Sequence, residues 1–289
     1  MNDREIDDTS APLIEHLAEL RTRLINAVLA FAICMVLCFT VAGSIFDFLA
    51  RPLSSVLRAN GQEPELIFTG LQQGFMTQVR ISLFGGFVLA FPVIGYQLWR
   101  FVAPGLYRQE KNAFLPFLLA SPILFAIGAA FAYYIILPLA FDFFLSFQQL
   151  APDGVAPVPE EGQDEVGIQF LGTINEYLGI TMKFIIAFGL CFQLPVLLTL
   201  MGKAGLVSAR GLGQTRKYAV VGILTLAALA TPPDVVSQVI LFVVVYGLYE
   251  ISIILVRFVE RKREAELKAA GLWDEELERE AEEAAEEGR

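Results

Sequence analysis

The spacing of charge along this chain constrains it more than any other feature. Six apolar stretches are interrupted by almost no charged residue. They run from Leu24 to about Phe46, from Ile81 to Trp99, from Asn112 to Phe141, between Lys183 and Lys203, from Tyr218 to Pro233, and from Val235 to about Val256. A transmembrane helix needs about 20 mainly apolar residues to cross the hydrocarbon core. Five of the six reach or approach that length. The Tyr218–Pro233 stretch has only 16 uncharged residues, about 24 Å of helix, against a core of about 30 Å. Such a span thins the bilayer or hides its ends behind neighbours, or its true boundary lies about two to four residues further out. Composition agrees: 55% of residues are hydrophobic, 24 are Phe, and only 18% are charged, against about 25% in soluble domains. The sequence therefore reads as an all-α membrane protein with six transmembrane helices of unequal length.

Lys and Arg set the orientation. With the N-terminus in the cytoplasm, 17 of the 21 basic residues fall inside. Only Arg51, Arg58, Arg80 and Lys183 remain outside or in the outer half. Both termini are thus expected in the cytoplasm. The connection from Phe143 to Thr173 has no basic residue and carries Asp153, Glu160, Glu161, Asp164 and Glu165, as suits an external loop. The net charge of −10 divides into −6 for residues 260–289 and −4 for the rest. No basic patch meets phosphates, so nucleic acid is not an expected partner. Residues 1–258 form one membrane domain, with an amphipathic N-terminal segment. Residues 259–289, rich in Glu, Ala, Arg and Lys, form an acidic cytoplasmic tail that begins as a helix.

Scarce residues narrow the chemistry. The one histidine, His16, lies outside the spans, which argues against a His-dependent intramembrane hydrolase and a histidine-rich metal site. Cys34, Cys38 and Cys191 sit in apolar runs with no CxxC pair and read as small packing residues. No metal and no organic cofactor is expected. Pro92, Pro116, Pro122, Pro138 and Pro195 lie within spans, remove backbone donors and bend helices. Bent helices of unequal length favour a concave wall. No internal repeat is evident, which weighs against an inverted-repeat solute transporter.

The carboxylates at the cytoplasmic face are the candidate site. Leu13, Leu17, Leu20 and Leu24 make one apolar stripe, suited to the membrane surface or a neighbouring helix. Glu19 is positioned to pair with Arg23 at i,i+4, and Glu110 lies in the second connection. These are either ordinary surface ion pairs or carboxylates that clamp a guanidinium through parallel hydrogen bonds. Within the bilayer, the Gln193 amide bonds intramolecularly, or to water, or to a partner's helix. Asp234 suits a cap for the last helix. Glu250, with Arg257 two turns on, is expected to pair or snorkel. Lys183 is read as snorkelling.

The run His16-Leu-Ala-Glu-Leu-Arg-Thr-Arg-Leu24 resembles the N-terminal signature of the TatC family, the receptor subunit of the twin-arginine translocase. Ala50-Arg-Pro-Leu53, the run from Phe91 to Glu110, Gly128-Ala-Ala-Phe-Ala-Tyr133, Pro138-Leu-Ala-Phe141, Ala187 to Pro195 and Thr231 to Gln238 resemble further family segments in order, over residues 12–258. The resemblance implies a non-enzymatic receptor in the bacterial cytoplasmic membrane. It implies binding of twin-arginine signal peptides of folded cargo, single-span partner subunits, self-association, and drive by the proton-motive force. Glu19 and Glu110 match the family's signal-recognising glutamates. Arg21, Phe101, Pro104 and Pro52 match other positions that matter to family members. Gln193 stands where the family often has a glutamate, so a titratable acid there is not expected.

Overall fold

A computed structural model describes residues 3–106, 115–146, 172–230 and 235–269, with side chains over 17–101, 116–146, 172–229 and 235–265. The described chain is almost wholly helical. In hydrocarbon every backbone N–H and C=O must be satisfied within the protein, and a helix does this locally. Five helical stretches are long and apolar enough to cross a membrane: Leu17–Thr40, Gln73–Phe101, Pro116–Ser146, Ile174–Lys203 and Val235–Ala265.

The first helix, α1 (Asp3–Thr40), carries the N-terminal arm and the first span as one element. The arm and the first span are thus continuous. The first span also ends earlier than its hydropathy suggests. Val41 has φ −115° and ψ 18°, and α2 (Ala42–Ala59) starts beyond it, so Phe46 belongs to α2. The break follows from local competition: the Thr40 hydroxyl donates back to the Leu37 carbonyl at 2.7 Å, and Gly43 follows two residues beyond Val41. Helix α2 is amphipathic. Leu49, Pro52, Leu53, Val56 and Leu57 are buried, while Asp47, Arg51 and Arg58 are exposed.

Pro52 has no N–H to offer the Phe48 carbonyl four residues back. The Tyr133 hydroxyl donates to that carbonyl instead, at 2.7 Å, and its ring stacks on Phe48 with centroids 4.4 Å apart. Tyr177 donates to the neighbouring Leu49 carbonyl. Tyr133 sits in a π-helical turn, Ala132–Ile136, that joins α4 (Leu115–Phe131) to α5 (Leu137–Ser146). The turn ends two residues before Pro138, and π-turns and prolines are both recognised sites of helix bending.

Between α2 and α4 runs α3 (Gln73–Leu106), which packs along α1. Gly86 permits the close approach: a Cβ there would lie 2.7 Å from the Met35 Cα and 2.8 Å from its N. The strand β1 (Leu66–Ile67) pairs in parallel with β2 (Gly172–Thr173), Leu66 opposite Gly172 and Ile67 opposite Thr173. This pairing ties the start of α3 to the start of α6 (Ile174–Cys191) at one end of the bundle. The fourth span breaks at Phe192 and Gln193 before α7 (Leu194–Lys203), whose second residue is Pro195. The main core gathers Leu137, Leu178, Phe184, Phe188, Leu241 and Ile253 among others.

At the other end, α8 (Ala209–Gln214) is held to the last helix, α10 (Val235–Ala269). The Ser208 hydroxyl caps α8 by accepting from the Gly211 N–H at 3.0 Å, and the Glu260 carboxylate accepts from the Ala209 N–H at 2.9 Å. The Tyr249 hydroxyl donates to the Leu212 carbonyl at 2.7 Å. The described part of α9 (Arg216–Ala230) has 15 residues, below the length of the five long stretches. Helix α10 runs past residue 258 without interruption as far as Ala269.

Candidate functional site

The site takes shape where α1 and α3 lie against each other. Cys38 meets Gly85, Met35 meets Gly86, and Arg23 meets Gln97, so the two helices run antiparallel. Arg23 donates from Nη1 to the Gln97 Oε1 at 3.4 Å. It also donates from Nη2 and Nε to the Glu19 Oε1, at 2.6 and 3.1 Å. The i,i+4 pair read from the sequence is therefore present, with a third partner, Gln97, across the helix interface. The Arg23 side chain is 17% exposed and Glu19 32%.

Helical geometry extends the alignment. Glu19 lies one turn beyond Arg23, and Phe101 one turn beyond Gln97, about 6 Å further toward the same end. Antiparallel packing thus brings Glu19 and half-buried Phe101 to one level. Arg100 is engaged locally: its Nη1 donates to the Tyr96 hydroxyl at 2.7 Å, and its guanidinium lies 5.6 Å from that ring's centroid. Arg21 is exposed. Trp99 faces the other way, buried with Val196 and Leu200. Pro104 falls in the last turns of α3, with its side chain outside the described residues. Glu110 and Asp234 lie outside the described residues altogether.

Gln193 has an intramolecular partner that sequence reasoning did not name. The Ser121 hydroxyl donates to Gln193 Oε1 at 2.6 Å, and Gln193 Nε2 donates to the Ser121 carbonyl at 2.9 Å. The reciprocal pair bridges α4 and the break before α7, one residue before Pro122. Glu250 is paired too, with Arg216 rather than Arg257. Arg216 Nε and Nη2 reach Oε1 and Oε2 at 2.7 and 2.8 Å, a two-bond clamp between α9 and α10. Spacing along a single helix pointed to Arg257; the true partner comes from the neighbouring helix. Arg80 reaches the Asn175 Oδ1 at 3.4 Å, and Lys183 is exposed.

Among the described residues no group of three His, Cys, Asp or Glu side chains is placed to hold a metal ion. What the α1–α3 end offers is a partly exposed carboxylate beside guanidinium and amide groups. That is chemistry for binding a cation, and the bundle carrying it is a multi-pass helical membrane protein. The family description "Sec-independent protein translocase protein (TatC)" matches residues 15–243. A TatC protein of Magnetococcus marinus is 45% identical over 263 residues, covering 91% of this chain and 90% of the relative. The TatC protein of Escherichia coli K12 is 36% identical over 253 residues, 88% of this chain and 90% of that one. A crystal structure of the twin-arginine translocase receptor TatC superposes with a TM-score of 0.71 at 37% identity, over 85% of this chain and 99% of that one. The chain belongs to the TatC family.

Proposed function

We propose that this protein is the twin-arginine signal-peptide receptor and core subunit of a translocase that exports folded proteins across a bacterial cytoplasmic membrane, driven by the proton-motive force. The observation that carries the proposal is the partly exposed Glu19 carboxylate, level with Phe101 at the end of the antiparallel α1–α3 pair. A guanidinium held at a membrane surface needs a fixed carboxylate that can accept two parallel bonds. Glu19 serves one arginine of the pair and Glu110 the other. Arg21, Phe101 and Pro104 complete the surface, and the apolar part of the signal lies along the concave wall bent by the prolines. The receptor assembles with single-span subunits and with further copies of itself in the bilayer. Pro52 and Asp234 are structural positions, while Gln193 holds the break in the fourth span and is available to a partner helix.

Six crossings, with both termini cytoplasmic, fit this role. Three contacts support α9 as the sixth crossing: Arg216 with Glu250, Leu212 with Tyr249, and Ala209 with Glu260. They set α8 and the start of α9 beside the Tyr249–Glu260 stretch of α10, so α9 leaves that level and α10 returns to it. The acidic tail lies in the cytoplasm, with Glu260 at its start engaged at α8.

The test is site-directed crosslinking of a photoreactive twin-arginine peptide to the membrane-inserted protein. Glu19→Lys and Glu110→Lys are each expected to remove crosslinking near residues 19 and 110 while membrane insertion is retained. Undiminished crosslinking in both variants would sink the assignment.

A further inference from the structure

Glu19 is not a vacant carboxylate. Both bonds from Arg23 converge on its Oε1, while among the described residues its Oε2 accepts none. The same guanidinium keeps its other arm on the Gln97 Oε1 of α3. An incoming guanidinium that binds side-on needs both carboxylate oxygens in one plane. It therefore meets a carboxylate half occupied by an identical group from the receptor itself. We propose that Arg23 is a resident competitor for the signal-peptide arginine at Glu19, and that Gln97 is the neutral acceptor onto which it is displaced. The inference rests on the reading of Glu19 as a signal-binding residue and adds the residues that tune it.

The geometry gives the exchange an order. The ligand guanidinium first engages Oε2. Arg23 then leaves Oε1 and keeps its bond to Gln97, so its charge is never stripped of every partner in a site where it is 17% exposed. Release runs in reverse, with Arg23 returning to Oε1 as the ligand departs. No covalent step is involved. The displaced interaction is a helical i,i+4 ion pair, weak enough to exchange readily. A resident competitor of this strength lowers affinity by roughly two- to fivefold. It also shields the carboxylate from isolated cations.

The test measures binding of a fluorescent twin-arginine peptide to the full-length protein in detergent. Arg23→Gln is expected to bind roughly two- to fivefold more tightly, with slower dissociation. Gln97→Leu removes the parking acceptor and is expected to bind about twofold more weakly, an effect that disappears in the Arg23→Gln background. Unchanged or weaker binding by a folded Arg23→Gln protein overturns the proposal, because it makes Arg23 a positioning residue for Glu19. If Arg23→Gln does not fold, Arg23→Met is the substitute. It keeps a flexible stem of similar length without charge or donors, so tighter binding supports the competitor and weaker or unchanged binding overturns it. Glu19→Gln separates the two levels. If it binds as the unaltered protein does, the receptor reading of Glu19 fails; if it abolishes binding while Arg23→Gln changes nothing, only the competitor fails.

Discussion

Replacing Tyr133 by Phe isolates one hydrogen bond at the Pro52 bend. The ring is retained, so its stacking on Phe48, at 4.4 Å and 3° between planes, is preserved. No cavity opens. What is lost is the hydroxyl that donates to the Phe48 carbonyl at 2.7 Å, the carbonyl that Pro52 cannot serve. Leaving such an acceptor without its donor costs about 1–2 kcal/mol. For a chain of this size that is a fall in Tm of about 2–8 °C. The decisive comparison is made in a Pro52→Ala background. There residue 52 regains an N–H able to reach Phe48, and Tyr133→Phe is expected to cost about 0.5 kcal/mol or less. The coupling, about 1 kcal/mol, is read from thermal or denaturant unfolding of four detergent-solubilised proteins. Equal losses in both backgrounds would refute the idea that Tyr133 substitutes for the donor missing at Pro52.

Three further outcomes follow from contacts already described. Ser121→Ala removes the donor to Gln193 Oε1 and is expected to cost about 1–2 kcal/mol in unfolding measurements, much of it recovered by adding Gln193→Leu. Gly86→Ala places a methyl 2.7 Å from the Met35 backbone, which cannot rotate away, so a loss of about 1–3 kcal/mol is expected. Gly222→Ala, with nothing within 4 Å, serves as its control and should be neutral or stabilising. Glu260→Ala strips the second cap from α8, costing about 0.5–1 kcal/mol and visible as faster hydrogen exchange at the Ala209 amide.

The long uncharged runs were legible because membrane insertion reads average hydropathy, and four of the long helices fall squarely on them. The end of the first span was not legible. No charge separates Arg23 from Asp47, so hydropathy runs straight through the backbone turn at Val41. The i,i+4 pair of Glu19 and Arg23 was legible because both partners share one helix. Gln97 lay inside a recognised segment, yet nothing in its own neighbourhood marks it; its role depends on how α1 and α3 are registered by Gly85 and Gly86. Arg216 with Glu250 and Ser121 with Gln193 were missed for the same reason: each joins residues 34 or 72 positions apart. Spacing along one helix predicts neighbours on that helix only. Pro52 was found through family likeness, whereas its physical partner, Tyr133, needed coordinates.

The pairing of Leu66 with Gly172 carries a consequence for biogenesis. As the chain is made from its N-terminus, β1 emerges early. Its partner strand exists only after α3 and the α4–α5 stretch have been made. Two residues more than a hundred positions apart must then meet, a long loop to close. Until that moment the starts of α3 and α6 are unlinked at that surface. The small staple therefore works as a late fastener. A nascent chain halted before residue 172 would lack the clasp between the starts of α3 and α6.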